Sequence, residues 1–229
     1  MVELSIPDAS PRSLTLEPRV ERAGAPVPRL PGRISIGGPL AVPLDAERLA
    51  GDDDLLTFMQ REKTADFFLV HMAATFVPDP DEPFEKVWLT VRLQRRDDVA
   101  EPLPIAWSMR PNRLYDEFER SSKVSIGPSL KVAGVGVAAS VESGSTQVLR
   151  DVSLEARHEL EANPTWVLER TRSAPIRGVQ RFVLVVRSPR RVSAGGVVES
   201  GAVLRRRLLG PITHRASLED GTPIRFELA

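Results

Sequence analysis

The chain has no cysteine. That removes disulfides, thiol nucleophiles and cysteine-based zinc sites, and it fits a reducing, cytoplasmic compartment. Histidine is scarce: His71, His158 and His214 lack ligand-like spacing, so no metal site is expected. Aromatic residues make up 5% of the chain, too few for a platform that stacks single-stranded bases. Neither sign of charge dominates, with 31 basic residues against 31 acidic ones, so no net field recruits polyanions. No apolar run approaches the ~18 residues of a membrane-crossing helix. The start, Met-Val-Glu-Leu-Ser-Ile-Pro, lacks the basic and apolar parts of a signal peptide. No P-loop, nucleophile elbow or Cys/His arrangement occurs, so neither a catalytic residue nor a cofactor is expected.

Proline and arginine are the abundant residues. Twenty prolines imply many loops and edge strands. Eight of them fall in residues 1–43, which read as an extended proline-rich arm followed by one β-rich domain over 44–229. Leu4, Ile6, Leu14, Leu16, Ile34 and Ile36 allow short edge strands within that arm. Of the 31 basic residues 27 are arginine. Two clusters, Arg187 with Arg190 and Arg191, and Arg205 with Arg206 and Arg207, form a candidate patch for an anionic ligand. Solvated charge that keeps strand edges from aggregating is the competing reading.

Period-two patterns dominate the rest. Phe68, Val70, Met72, Ala74 and Phe76 alternate over 66–77, and Val87, Leu89, Val91 and Leu93 over 84–95. The two runs read as an antiparallel pair across the proline-rich 78–83 turn. Leu103, Ile105, Trp107 and Met109 define a further strand, and Phe182 to Val186 a buried one. Residues 196–209 suggest a hairpin turning at Ser200-Gly201, and Asp220-Gly221 suggests another between 212–218 and 224–228. Helical spacing appears in 44–64, where Asp52, Asp53 and Asp54 suit a helix N-terminus, and in 111–120, where Leu114 and Phe118 share a face.

The stretch that organises the chain is 123–163, read as a long β-hairpin. Val152, Leu154, Ala156, His158, Leu160 and Ala162 alternate with polar residues along its second arm. The first arm holds Val132, Gly134, Val135, Gly136 and Val137, small and apolar on both faces, which mark a candidate interaction surface. Three readings compete. One is a buried strand crossed closely by another layer. A second is a dinucleotide site, since Gly134 to Ala139 fits G-x-G-x-x-A with Glu155 at 21 residues after Gly134; the motif lacks the crossover helix that would hold a pyrophosphate. The third is a hairpin that enters a membrane, each arm having the ~9–11 residues a tilted strand needs.

These observations predict an antiparallel β-sandwich of eight to twelve strands with one or two short helices. The function they favour is a non-enzymatic protein–protein interaction or self-assembly module with a protein partner or further copies of itself. Membrane insertion of 123–163 and nucleotide binding at Gly134 and Gly136 are the alternatives, and nucleic acid is disfavoured.

Overall fold

The computed structural model describes residues 11–18, 29–44, 57–58, 61–96, 102–123, 144–206, 210–218 and 222–228. Twelve strands occur among them: β1 Arg12–Pro18, β2 Leu30–Pro43, β3 Ala65–Phe76, β4 Phe84–Arg95, β5 Ile105–Arg110, β6 Arg113–Lys123, β7 Gly144–Arg157, β8 Thr165–Glu169, β9 Gly178–Pro189, β10 Ala194–Arg206, β11 Gly210–Ser217 and β12 Ile224–Leu228. All pairings are antiparallel, in the order β5-β9-β3-β2-β1-β11-β10-β4-β8-β7-β6, with β12 also on β10.

The strands form one sheet that curls into a nearly closed barrel, and the two packed sheets of the expected sandwich are not seen. The reason is continuity. Each strand from β9 to β7 has neighbours on both sides, and the two ends are brought together by the connection after β7. Ala106 N–H of β5 donates to the Glu161 carbonyl at 3.0 Å, and Leu160 N–H donates to the Ala106 carbonyl at 2.7 Å. The Glu159 carboxylate takes Met109 N–H at 3.0 Å. These bonds occupy the edge of β5 that would otherwise stand open.

The inside of the curl is the core. Leu16, Ile34, Val70, Met72, Val87, Val91, Leu184 and Leu204 are buried there. Rings join its sides: Phe76 meets Phe84 edge to face at 6.2 Å, and Trp166 meets Phe182 at 5.0 Å.

Several expectations change once pairing is visible. Within 1–43, Arg12–Pro18 and Leu30–Pro43 are interior strands of the sheet, not an arm, because Leu14, Leu16, Ile34 and Ile36 are buried in its core. β3 and β4 do not pair. β3 lies between β2 and β9, and β4 between β10 and β8, so the 78–83 turn crosses between different parts of the sheet. The 111–120 helix is replaced by β6; a spacing of four keeps Leu114 and Phe118 on one side of a strand as well as of a helix. In β5 the register shifts between Ala106 and Ser108, so Ala106 and Met109 are the buried residues while Trp107 turns outward against Phe58 at 5.6 Å. Of the 44–64 helix, Thr57, Phe58 and Arg61 are helical, and most of the remainder lies outside the described residues.

No hairpin turns at Ser200-Gly201, because β10 runs straight through. Gly201 is there for space: a Cβ would sit 2.1 Å from Trp88 Cζ2 and 2.8 Å from the His214 carbonyl. β11 and β12 both pair with β10 and not with each other. The Asp220-Gly221 dipeptide lies outside the described residues.

Candidate functional site

The outstanding feature is the place where β6 and β7 leave the sheet. β7 pairs with β8 only over Leu154–Arg157. Next to that contact a bulge puts Ser153 out of register, between the pairs Leu114↔Leu154 and Tyr115↔Val152. Ser153 Oγ donates to the Leu114 carbonyl at 3.3 Å. A bulge bends and twists a pair locally, so the ladder departs from the barrel there. Beyond it β6 and β7 continue in unbroken register from Tyr115↔Val152 to Lys123↔Gly144. At about 3.4 Å per residue this ribbon is roughly 30 Å long.

Among the described residues no strand pairs with the outer edge of β6, nor with β7 before Leu154. Two-stranded ribbons are marginal in water on their own, and free edges invite pairing with another chain. At the root of the ribbon Leu114, Tyr115 and Val152 are all exposed. The Glu155 carboxylate binds both Arg113 and Arg157, with the Arg157 contact at 2.8 Å, and these cations hold its pKa below the usual range.

The 123–163 hairpin is therefore composed differently from its sequence pattern. β7 ends at Arg157, and His158 and Leu160 have φ of 62° and 67° in the turn that follows. Past the strand, Leu160 N–H bonds the Ala106 carbonyl of β5 and the Ala162 carbonyl accepts Leu93 N–H of β4. β7 pairs with β6, and 132–141 lie outside the described residues. Val132, Gly134, Val135, Gly136 and Val137 lie outside the described residues. So does the glycine motif of the dinucleotide reading, while its acidic partner Glu155 is held between two arginines.

The arginine clusters are taken up by separate ion pairs. Arg187 meets Glu62 at 3.1 Å, and Arg190 meets Asp66 at 3.2 Å. The Thr64 hydroxyl and amide, followed by Arg187, pull the Glu62 carboxyl down to about 2. Arg205 meets Glu85 at 3.4 Å. Arg191 is exposed, the backbone of Arg206 lies in β10, and Arg207 is outside the described residues. Four strands separate β9 from β10 in the sheet, so the two clusters belong to different parts of it.

The three histidines are apart. His158 is exposed beside Glu161 at 3.1 Å, His214 is buried with Nδ1 3.0 Å from the Ile212 carbonyl, and His71 is buried on β3 between Leu40 and Val183. Among the described residues no group of histidines and carboxylates could hold a metal ion. His71 Nε2 has no partner, and burial lowers the ring's pKa from 6.5. The unfolded chain therefore takes up this proton first, and stability is lost as pH falls below 6.5. The urea midpoint, followed by circular dichroism, is expected to drop between pH 7.5 and 5.5. His71→Leu should make that drop shallower.

Sequence reading missed the residues that tie the ribbon to the barrel. Asp116 of β6 is bonded to Thr171 and Ser173, 55 and 57 positions away, and no local pattern links them.

No family model and no curated protein matches the chain. Among solved structures it is similar to one titled "Pore forming protein", at 8% identity and a TM-score of 0.33, covering 95% of this chain and 88% of that one. A likeness that weak supports no argument about function.

Proposed function

We propose that this chain is a membrane-active, self-associating protein that inserts its β6–β7 arm, with 124–143 as the part that crosses the bilayer. The supporting observation is the register at the end of the ribbon. Lys123 faces Gly144, and extending that register over the 20 residues between them divides their sequence into two alternating sets. Continuing the same register matches Val124, Ile126, Pro128, Leu130 and Val132 with Ser143, Val141, Ala139, Val137 and Val135. The intervening residues are Ser125, Gly127, Ser129 and Lys131 on one side, and Gly136, Ala138, Ser140 and Glu142 on the other. Cross-strand partners share a face. One face of such a hairpin is apolar apart from Ser143, and the other is small, polar or charged.

That is the pattern a membrane strand needs, with lipid on one side and water on the other. Each arm, 124–132 and 135–143, has nine residues, about what a tilted strand requires. An extension of that register would leave Ala133-Gly134 as a two-residue turn, where glycine tolerates positive φ. Pro128 lacks a donor and leaves one gap in the ladder. His158, which would face lipid in a 123–163 hairpin, instead sits in the turn after β7.

A lone hairpin cannot rest in lipid, because its outer edges would leave backbone groups unbonded. Copies must pair edge to edge until a barrel closes, and β6 and β7 carry such edges in water already. The self-assembly reading and the membrane reading thus describe one process. The cysteine-free chain allows a direct test: single cysteines at 124–143 carrying a polarity-sensitive dye, read with and without liposomes. Even positions in the first arm and odd positions in the second should enter an apolar environment while their neighbours stay wet. A uniform response along the segment would defeat the proposal.

A further inference from the structure

Among the described residues, Asp116 ties the ribbon to the barrel. Asp116 Oδ2 accepts the Thr171 hydroxyl at 2.5 Å, the Ser173 hydroxyl at 2.6 Å and the Ser173 N–H at 3.3 Å. Thr171 and Ser173 belong to the 170–177 connection between β8 and β9. That connection is itself folded to present them: Thr171 Oγ1 accepts Ala174 N–H at 3.0 Å, and Thr171 N–H bonds the Ala174 carbonyl at 3.3 Å. Leu114, Leu154, Pro175 and Ile176 line a half-open cleft of about 80 Å³ between ribbon and connection.

The position opposite makes the attachment conditional. Asp116 faces Asp151 across the ladder, and like charges directly opposite destabilise a strand pair. Three donors aimed at Asp116 offset that repulsion only while the ribbon lies against 170–177. The Ser173 hydroxyl, then that of Thr171, also holds the Asp116 pKa below its ordinary 3.8. The carboxylate's stabilising contribution is thus complete above pH 3.8 and is lost only as pH falls through the lower, folded value.

We infer that Asp116, Thr171 and Ser173 form a latch that docks the β6–β7 ribbon on the barrel in water and must open before the ribbon is used. The docking role stands on the geometry alone, whereas the need for opening rests on the membrane reading. Two experiments separate them.

Hydrogen exchange in solution, without lipid, reports docking. Asp116→Ala, and independently the double variant Thr171→Val with Ser173→Ala, should raise exchange at least tenfold over 115–123 and 144–153. Exchange in β3 and β9 should stay as in the parent, which shows that the barrel is intact. Unchanged ribbon exchange in both variants overturns the latch.

Dye release from liposomes reports its use. Asp116→Ala should release dye several-fold faster than the parent. D116C/S173C joined by a short bismaleimide should release none. If the cross-linked protein leaks like the parent, opening is not required. If no form leaks while the exchange result holds, the latch stands and the membrane reading fails.

Discussion

Val137→Asp is expected to abolish dye release from liposomes, by a factor of at least ten, while the urea midpoint of the soluble protein stays where it was. On the proposed extension of the Lys123↔Gly144 register, Val137 falls in the apolar set of the 124–143 sequence, matched with Leu130. A lipid-facing cation at the bilayer midplane costs about 2–4 kcal/mol, and an acid somewhat less. The cost recurs in every copy that joins a barrel, so a modest penalty per chain becomes prohibitive for the assembly. Ser129→Asp is the matched control. It places the same charge at a similar depth but in the opposite phase, which faces water, and it should keep most of the activity. Equal loss in both variants would mean that negative charge anywhere in the segment is harmful, and the phase assignment would fall. Full activity in Val137→Asp would remove 124–143 from the membrane altogether.

Trp166→Ala is expected to produce the largest loss of stability of any single core truncation, about 3–5 kcal/mol by the usual cost of emptying an aromatic site. Trp166 is fully buried on β8. Its ring packs on Phe182 of β9 at 5.0 Å, and its Nε1–H donates to the Pro111 carbonyl at 3.1 Å. β8 and β9 lie near opposite ends of the strand order, so this one side chain spans the seam of the barrel. Truncation leaves a cavity and an unpaired carbonyl together. Urea unfolding, with near-ultraviolet circular dichroism as a second probe, measures the effect. Trp166→Phe should recover part of the packing but not the hydrogen bond. A loss under 1 kcal/mol in Trp166→Ala would show that the seam is held elsewhere, by the 158–161 connection bonded to β5.

The two predictions draw on different levels of the molecule. Val137 is placed by a pattern in the sequence once its phase is known, and Trp166 by contacts between distant strands. The phase itself was not legible. Read from Val132 onward, the sequence shows small apolar residues at both odd and even positions. The proposed alternation emerges only when the sequence is divided about the pair Lys123↔Gly144, and that pair is visible only in the strand pairing. The Asp116 latch was not legible at all, since its donors are more than 50 residues away.

By itself the sequence determined that the protein is built of antiparallel strands, and where most of them lie. Alternating Val87, Leu89, Val91 and Leu93 can bury one face only as a strand, and β4 spans Phe84–Arg95 as that pattern requires. The absence of cysteine and of ligand-spaced histidine likewise needed no structure to exclude thiol chemistry and disulfides. The tertiary structure alone decided which strands pair, and hence that the sheet is a nearly closed barrel. Alternation fixes the face a residue presents but not the neighbour it meets, so β3 with β9, and β4 with β10, could not be told from β3 with β4. It decided also that residues 12–18 and 30–43 belong to the core, because few large apolar residues suffice where neighbours on both sides cover them. And it decided that β6 and β7 extend beyond the last shared partner, which depends on where β8 stops and on a bulge at Ser153 that no local signal announces.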